Sequence, residues 1–229
     1  MSLRKFLTLA LATLGLAAGT AHAQLRPGQD FTLLQPPQTA GSDGKIEVIE
    51  FFSYACGHCF KLEPFLASWV RKLPPDIVFK RVPGVGSGAW SQLGLLYYSL
   101  EAMGKLDALH EKAFDAMHKE NQNLSNPKIR DQWLARQGVD VAQYAAVEKS
   151  FSVQSRLTRA VQMMGAYKVD GVPMLVVNGK YVTSNAHAGG PEKVVPVLEQ
   201  LIAMARKDMG AGSVAATPTP SAKPASLKK

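Results

Sequence analysis

The 229-residue chain carries 26 Lys and Arg against 18 Asp and Glu, a formal net charge of +8, with 46% hydrophobic residues and only two cysteines. The positive excess does not describe a nucleic-acid binder: Arg4 and Lys5 sit near the N-terminus, Lys223, Lys228 and Lys229 near the C-terminus, and no basic stripe lies between. Two cysteines in one short motif likewise exclude a disulfide-stapled scaffold, because a Cys56–Cys59 bridge closes too small a loop to constrain much unfolded chain.

Arg4 and Lys5 precede an apolar run from Phe6 to Ala18, which gives way to Ala21-His22-Ala23 and a polar Gln24. Basic, apolar and small-residue segments in that order predict a secretory signal peptide over residues 1–23, cleaved after Ala23. The run falls well short of the ~20 residues a membrane-spanning helix needs. The chain beyond Ala23 is long enough for one sizeable domain or two small ones, and it contains no second long apolar run.

Lys45 to Phe52 (KIEVIEFF) is dense in β-branched and aromatic residues and predicts a strand buried on both faces. It runs straight into Cys56-Gly57-His58-Cys59. Beyond the cysteines, Leu62, Phe65, Leu66, Trp69, Val70 and Leu73 recur at helical spacing until Pro74-Pro75 stops them, and Ile77 to Val82 reads as a second strand. The result is a β-α-β unit with both cysteines at the N-terminus of its helix.

From Ala89 to Tyr167 the pattern is helical, with breaks at Gly104, around Asn121 to Pro127, and at Gly138, so four or five helices are expected. Met174 to Val177 then forms a short strand, Asn178-Gly179 a two-residue hairpin turn, and Lys180 to Thr183 the returning strand. A last helix should end near Lys207. Pro196 requires either that it start near that residue or that it kink there. From Gly210 onward the chain is Ala, Pro, Ser, Thr and Lys, and a disordered tail is expected over 210–229.

The chemistry centres on the cysteine pair. A C-x-x-C on the first turn of a helix exchanges dithiol for disulfide with little rearrangement. Cys56 is expected to face solvent and Cys59 the interior. Unpaired backbone N–H groups and the positive end of the helix dipole favour a thiolate at Cys56, with His58 adding a donor or a positive charge nearby. A stabilised thiolate is a good leaving group, so a disulfide involving Cys56 opens readily onto a substrate thiol. Zinc binding by the pair lacks its second half, since there is no other C-x-x-C, and His110 and His118 lie far apart on a helical stretch. His187, in a Gly-rich loop, has no role assigned. Glu50 alternates with Val48 and Phe52 and so points to an otherwise apolar face below Cys56, where its pKa should be raised. It is either a proton acceptor for Cys59 or a charge satisfied by Lys80 or Arg81 on the next strand.

Phe51-Phe52-Ser53-Tyr54 before the cysteine motif, Ile129-Arg130-Asp131, Gly171-Val172-Pro173 and Val177-Asn178-Gly179-Lys180-Tyr181 together resemble a DsbA-type thiol:disulfide interchange protein over most of the chain after residue 23. The resemblance implies an α/β thioredoxin fold with an inserted helical subdomain, divided into a first part over 24–88, the insertion over 89–167 and a second part over 168–209. The long separation of Cys59 from Pro173 independently demands such an insertion. It further implies that Pro173 is a cis-proline facing the disulfide, that Val172 offers its backbone to an extended substrate, and that Glu50 occupies the family's buried acidic position, which favours the catalytic reading. Reduced, unfolded secreted proteins in the periplasm become the expected substrates, a DsbB-like membrane quinone reductase the reoxidant, with no bound cofactor and a monomeric state. One departure stands out: Gly57-His58 replaces the Pro-His of the best-known members and resembles protein disulfide isomerases. A disulfide isomerase or reductase is therefore the nearest alternative, and a periplasmic copper- or zinc-binding module using Cys56, Cys59 and a histidine a more distant one. Isomerases of this kind usually carry an added N-terminal domain, and too few residues precede Lys45 to form one.

Overall fold

The structure is a computed structural model that describes residues 24–39, 44–86 and 88–215, with side chains described as far as residue 210. The expected signal peptide and most of the expected tail lie outside the described residues. The strand that leads to the cysteines, β2 (Ile46–Phe52), lies inside the sheet with all seven residues buried. It pairs in parallel with β3 (Ile77–Pro83) and antiparallel with β4 (Met174–Val177), and β4 continues through a hairpin into β5 (Tyr181–Thr183). A two-residue strand, β1 (Thr32–Leu33), closes the far edge against β5, giving the order β1-β5-β4-β2-β3. A piece this short has no periodicity to recognise, and β1 was not anticipated.

Helix α1 (Gly57–Val70) crosses from β2 to β3. Between β3 and β4 come five helices, α2 (Ala89–Ala102), α3 (Leu106–His118), α4 (Pro127–Arg136), α5 (Val141–Glu148) and α6 (Phe151–Ala166). A short α7 (Asn185–Ala188) and a long α8 (Pro191–Ala215) come after β5. This is the expected thioredoxin arrangement with a helical insertion.

The sheet needs apolar residues on both faces because each is covered by helices. Ile46 and Val48 of β2 meet Leu62 and Leu66 of α1 and Val194, Leu198, Leu201 and Ile202 of α8. Ile49 and Phe51 point the other way, into a core shared with Leu96, Leu100, Phe114, Trp133 and Tyr144 of the insertion. The hairpin turn takes φ 51° at Asn178 and 67° at Gly179, the left-handed pair that a two-residue turn of the right twist demands. A Cβ on Gly179 would also lie 2.0 Å from the Gln38 carbonyl oxygen, so no other residue fits there.

Of the two alternatives for the start of the C-terminal helix, a start near Pro196 is excluded, and the expected end near Lys207 is corrected. α8 begins at Pro191 and passes through Pro196. That proline is exposed, and its missing N–H forgoes a single bond, to the carbonyl of Glu192 on the solvent side. The helix also runs beyond Lys207 to Ala215, into the first residues of the expected tail. Asp208 accepts hydrogen bonds from Lys180 Nζ and Tyr181 Oη, each at 2.7 Å, which ties the late turns to the hairpin, and the two glycines of this stretch, Gly210 and Gly212, each cost the helix only about 1 kcal/mol.

Candidate active site

The turn that delivers the cysteines is built from Ser53, whose side chain accepts from the Ala55 N–H at 3.2 Å and whose carbonyl accepts from the Cys56 N–H at 3.0 Å. Cys56 is thereby placed as the N-cap of α1, in extended conformation. Its sulfur accepts from the Cys59 N–H at 3.2 Å, one of the N–H groups that a helix start leaves unpaired, and its thiol donates to the Val172 carbonyl at 3.3 Å. Cys56 is half-buried and Cys59 fully buried, both as free thiols.

This asymmetry divides the two sulfurs chemically. The hydrogen bond between the Cys59 and Cys56 side chains, the backbone N–H groups of Cys59 and His58, and the charge of His58 together lower the Cys56 pKa to about 6, against an opposing effect of burial. Burial, and then the neighbouring Cys56, push the Cys59 thiol far up. One sulfur is prepared to be a thiolate and the other to hold its proton.

Val172 and Pro173 approach from the opposite side, joined by a cis peptide bond. With Leu33, His58, Tyr167 and Asn185 they line a groove of about 800 Å³ beside Cys56. Exposed His58 projects from the motif, while its backbone carbonyl accepts from Asn185 Nδ2 at 3.0 Å. His187 also lines the groove but is engaged with the Ser184 side chain, on the turn of α7 and not in a loop.

Glu50 is completely buried, and Arg81, its direct partner on β3, donates from Nε to Glu50 Oε2 at 3.1 Å. Lys80 instead pairs with Glu47. Burial pushes the Glu50 pKa up to about 8 despite the Arg81 charge, and the negative charge of Glu63 adds to the rise. Cys56 adds to that rise as well, and the Glu50 charge in turn helps to push the Cys59 thiol up. An ion-pair partner and a perturbed carboxyl therefore coexist at the one residue.

Sequence reasoning passed over what lies behind Glu50. Arg81 Nη2 donates to Glu63 Oε1 at 2.8 Å; the other Glu63 oxygen lies 3.5 Å from His110 Nε2, and His110 Nδ1 is 2.8 Å from the Tyr54 hydroxyl. Glu63 and His110 are both buried. Spacing carried a signal: Glu63 shares the inward face of α1 with Cys59, Leu62 and Leu66, and His110 shares that of α3 with Ala113 and Phe114. His118 of α3 meets the Tyr54 carbonyl at 2.8 Å and stacks on Phe60, with ring centroids 4.8 Å apart. Among the described residues no three His, Cys, Asp or Glu side chains gather to hold a metal ion.

The profile of the DSBA-like thioredoxin domain matches residues 76–189. The thiol:disulfide interchange protein DsbA of Bordetella parapertussis is 40% identical over 204 residues, covering 87% of this chain and 97% of that protein. The protein of the same name from Pseudomonas aeruginosa is 37% identical over 197 residues, covering 86% and 93%. Among solved structures, Pseudomonas aeruginosa DsbA superposes with a TM-score of 0.75 at 36% identity, covering 82% of this chain and 96% of that one. Reduced DsbA1 from Neisseria meningitidis gives 0.72 at 29% identity, covering 82% and 99%.

Proposed function

The chain belongs to the DsbA family of thiol:disulfide interchange proteins and is a protein disulfide oxidoreductase, and from that premise we propose that it acts in the periplasm as a disulfide donor through Cys56 and Cys59. The observation that carries the direction is the convergence of the Cys59 side chain and N–H, the His58 N–H and the His58 charge on Cys56. A thiolate held this well leaves readily and stabilises the dithiol form, which drives electrons toward the protein and the disulfide toward its substrate.

In the forward direction a substrate thiolate attacks Cys56 Sγ, the Cys56–Cys59 bond breaks, and the departing Cys59 sulfur takes a proton. Neutral Glu50 is the donor below its pKa of about 8, and its carboxylate the acceptor when Cys59 attacks in the reverse step. A second substrate thiol then attacks the substrate sulfur of the mixed disulfide and expels Cys56 as its thiolate. Val172 and Pro173 form the wall against which an extended substrate segment lies, with the groove beside His58 receiving its side chains. The substrates are reduced, unfolded secreted proteins, a DsbB-like membrane quinone reductase restores the disulfide, and the protein works as a monomer. No described helix is long and apolar enough to cross a membrane.

Equilibration of the Cys56–Cys59 pair in glutathione buffers of graded ratio tests this reading. A dithiol that persists where glutathione is largely oxidised supports a donor. A disulfide that persists in strongly reducing buffer makes the protein a reductase or isomerase and reverses the direction proposed.

A further inference from the structure

Behind the cysteines a run of polar side chains links four elements: buried Glu50 on β2, partly buried Arg81 on β3, and buried Glu63 on α1 and His110 on α3. Two carboxyl groups share a single guanidinium, and the imidazole approaches the second. Glu50 Oε1, Glu63 Oε2 and His110 Nε2 are each buried without a hydrogen-bond partner. A low-dielectric site does not tolerate an uncompensated charge, so one cation neutralises only one of the two carboxylates and the other must carry a proton.

The geometry decides which one. Arg81 presents its terminal Nη2 to Glu63 at 2.8 Å and its Nε to Glu50 at 3.1 Å. His110 Nε2 faces Glu63 Oε2 at 3.5 Å, and its Nδ1 is 2.8 Å from the Tyr54 hydroxyl. Glu63 therefore has Arg81 on one oxygen and an imidazole beside the other, whereas Glu50 has Arg81 alone.

We propose that Glu63, held by His110, is a positioning residue for the thiol chemistry: by competing for Arg81 it keeps the exchangeable proton on Glu50, beside Cys59. This rests on the reading of Glu50 as the proton partner of Cys59. The other titratable groups facing Glu50 are Cys56 and Cys59 on α1, Tyr54 on the connecting turn and Tyr97 on α2, all three besides Cys56 being buried. From β4 the residue opposite Glu50 is Leu175, which carries no charge. Within this setting Glu63 is the carboxyl that competes for Arg81. Raised Glu50 protonation is also the direction given by the Glu63 charge.

The test monitors Cys59 attack on a mixed disulfide between Cys56 and glutathione, as glutathione release across pH, in the reduced full-length protein after export and in three variants. Wild-type release should rise through an inflection as Glu50 loses its proton, and E50Q should abolish that inflection. E63Q leaves Arg81 to Glu50 alone and should move the inflection down by about one pH unit or more, a tenfold change in the ionised fraction. H110F removes the imidazole facing Glu63, lets the proton reside there instead, and should move it the same way; it supplies the answer should E63Q fail to fold. An inflection unmoved in E63Q or H110F but lost in E50Q overturns the role of Glu63. An inflection that survives in E50Q overturns the role of Glu50 itself.

Discussion

Arg81 stands directly opposite Glu50 across the parallel β2–β3 pair and binds it from Nε while its other arm holds Glu63, so one partly buried cation serves two carboxyl groups. The Arg81 side chain also lies over the Phe79 ring, its guanidinium carbon 5.0 Å from the centroid. Substitution by Leu removes the charge on which both carboxyls depend. A buried ion pair broken from one side costs about 3–5 kcal/mol, and R81L should lose stability of that order at neutral pH. The loss should shrink in acid, where the carboxyls are neutral and need no counterion. Urea unfolding midpoints at neutral and acid pH measure this; an R81L protein as stable as wild type at neutral pH would show that the carboxyls are accommodated without the cation.

The two thiols should separate cleanly by reactivity. In the reduced protein iodoacetamide should modify Cys56 with a midpoint near pH 6, and Cys59 should remain unmodified in the folded state because burial keeps it a thiol. C56S should abolish disulfide transfer. C59S should accumulate mixed disulfides through Cys56, since the resolving sulfur is gone. Mass spectrometry after alkylation and non-reducing gels provide the readouts, and adducts on Cys59 in place of Cys56 would reverse the assignment of nucleophile.

Stability of the dithiol form should depend on pH with a defined sign. The Cys56 pKa falls from its ordinary value of 9 to about 6 on folding. A depressed folded pKa contributes stability that is complete above the unfolded value and disappears as pH falls through the folded one. Reduced wild type should therefore exceed C56S in stability most above about pH 9, progressively less below that, and not at all below about pH 6. Glu50, raised from 4.5 to about 8, works in the opposite sense, with its contribution lost as pH rises through 8, but it is common to both proteins. Urea midpoints of the two dithiol or monothiol proteins across this window check the sign. A difference that grows toward acid would mean that Cys56 is held as a thiol.

The chain's own order of residues determined the β-α-β unit, the helical run between β3 and β4, the hairpin at Asn178-Gly179 and the position of the cysteines at a helix start. Each rests on local rules: a buried strand must be apolar, a helix repeats at three and four, and a two-residue turn needs left-handed backbone. The same alternation marked Glu50 as pointing inward, and its partner on β3 was narrowed to Lys80 or Arg81. The parallel register selected Arg81, because Glu50 and Arg81 are opposed and share a face while Lys80 reaches Glu47 on the other. Register is a pairing of distant segments, and no local pattern specifies it.

The rest required the folded chain. Val172 stands beside Cys56 only because β4 returns next to β2, and Asn185 reaches the His58 carbonyl only because α7 lies across the groove. Glu63 and His110 looked like ordinary helix residues until α1, α3 and β3 converged on one point. Even the extent of α8 was decided at a distance, by Asp208 engaging Lys180 and Tyr181 where composition alone suggested an end. Local structure arises from the conformational preferences of neighbouring residues, whereas a buried charge is stabilised only by partners that folding brings to it from elsewhere in the chain.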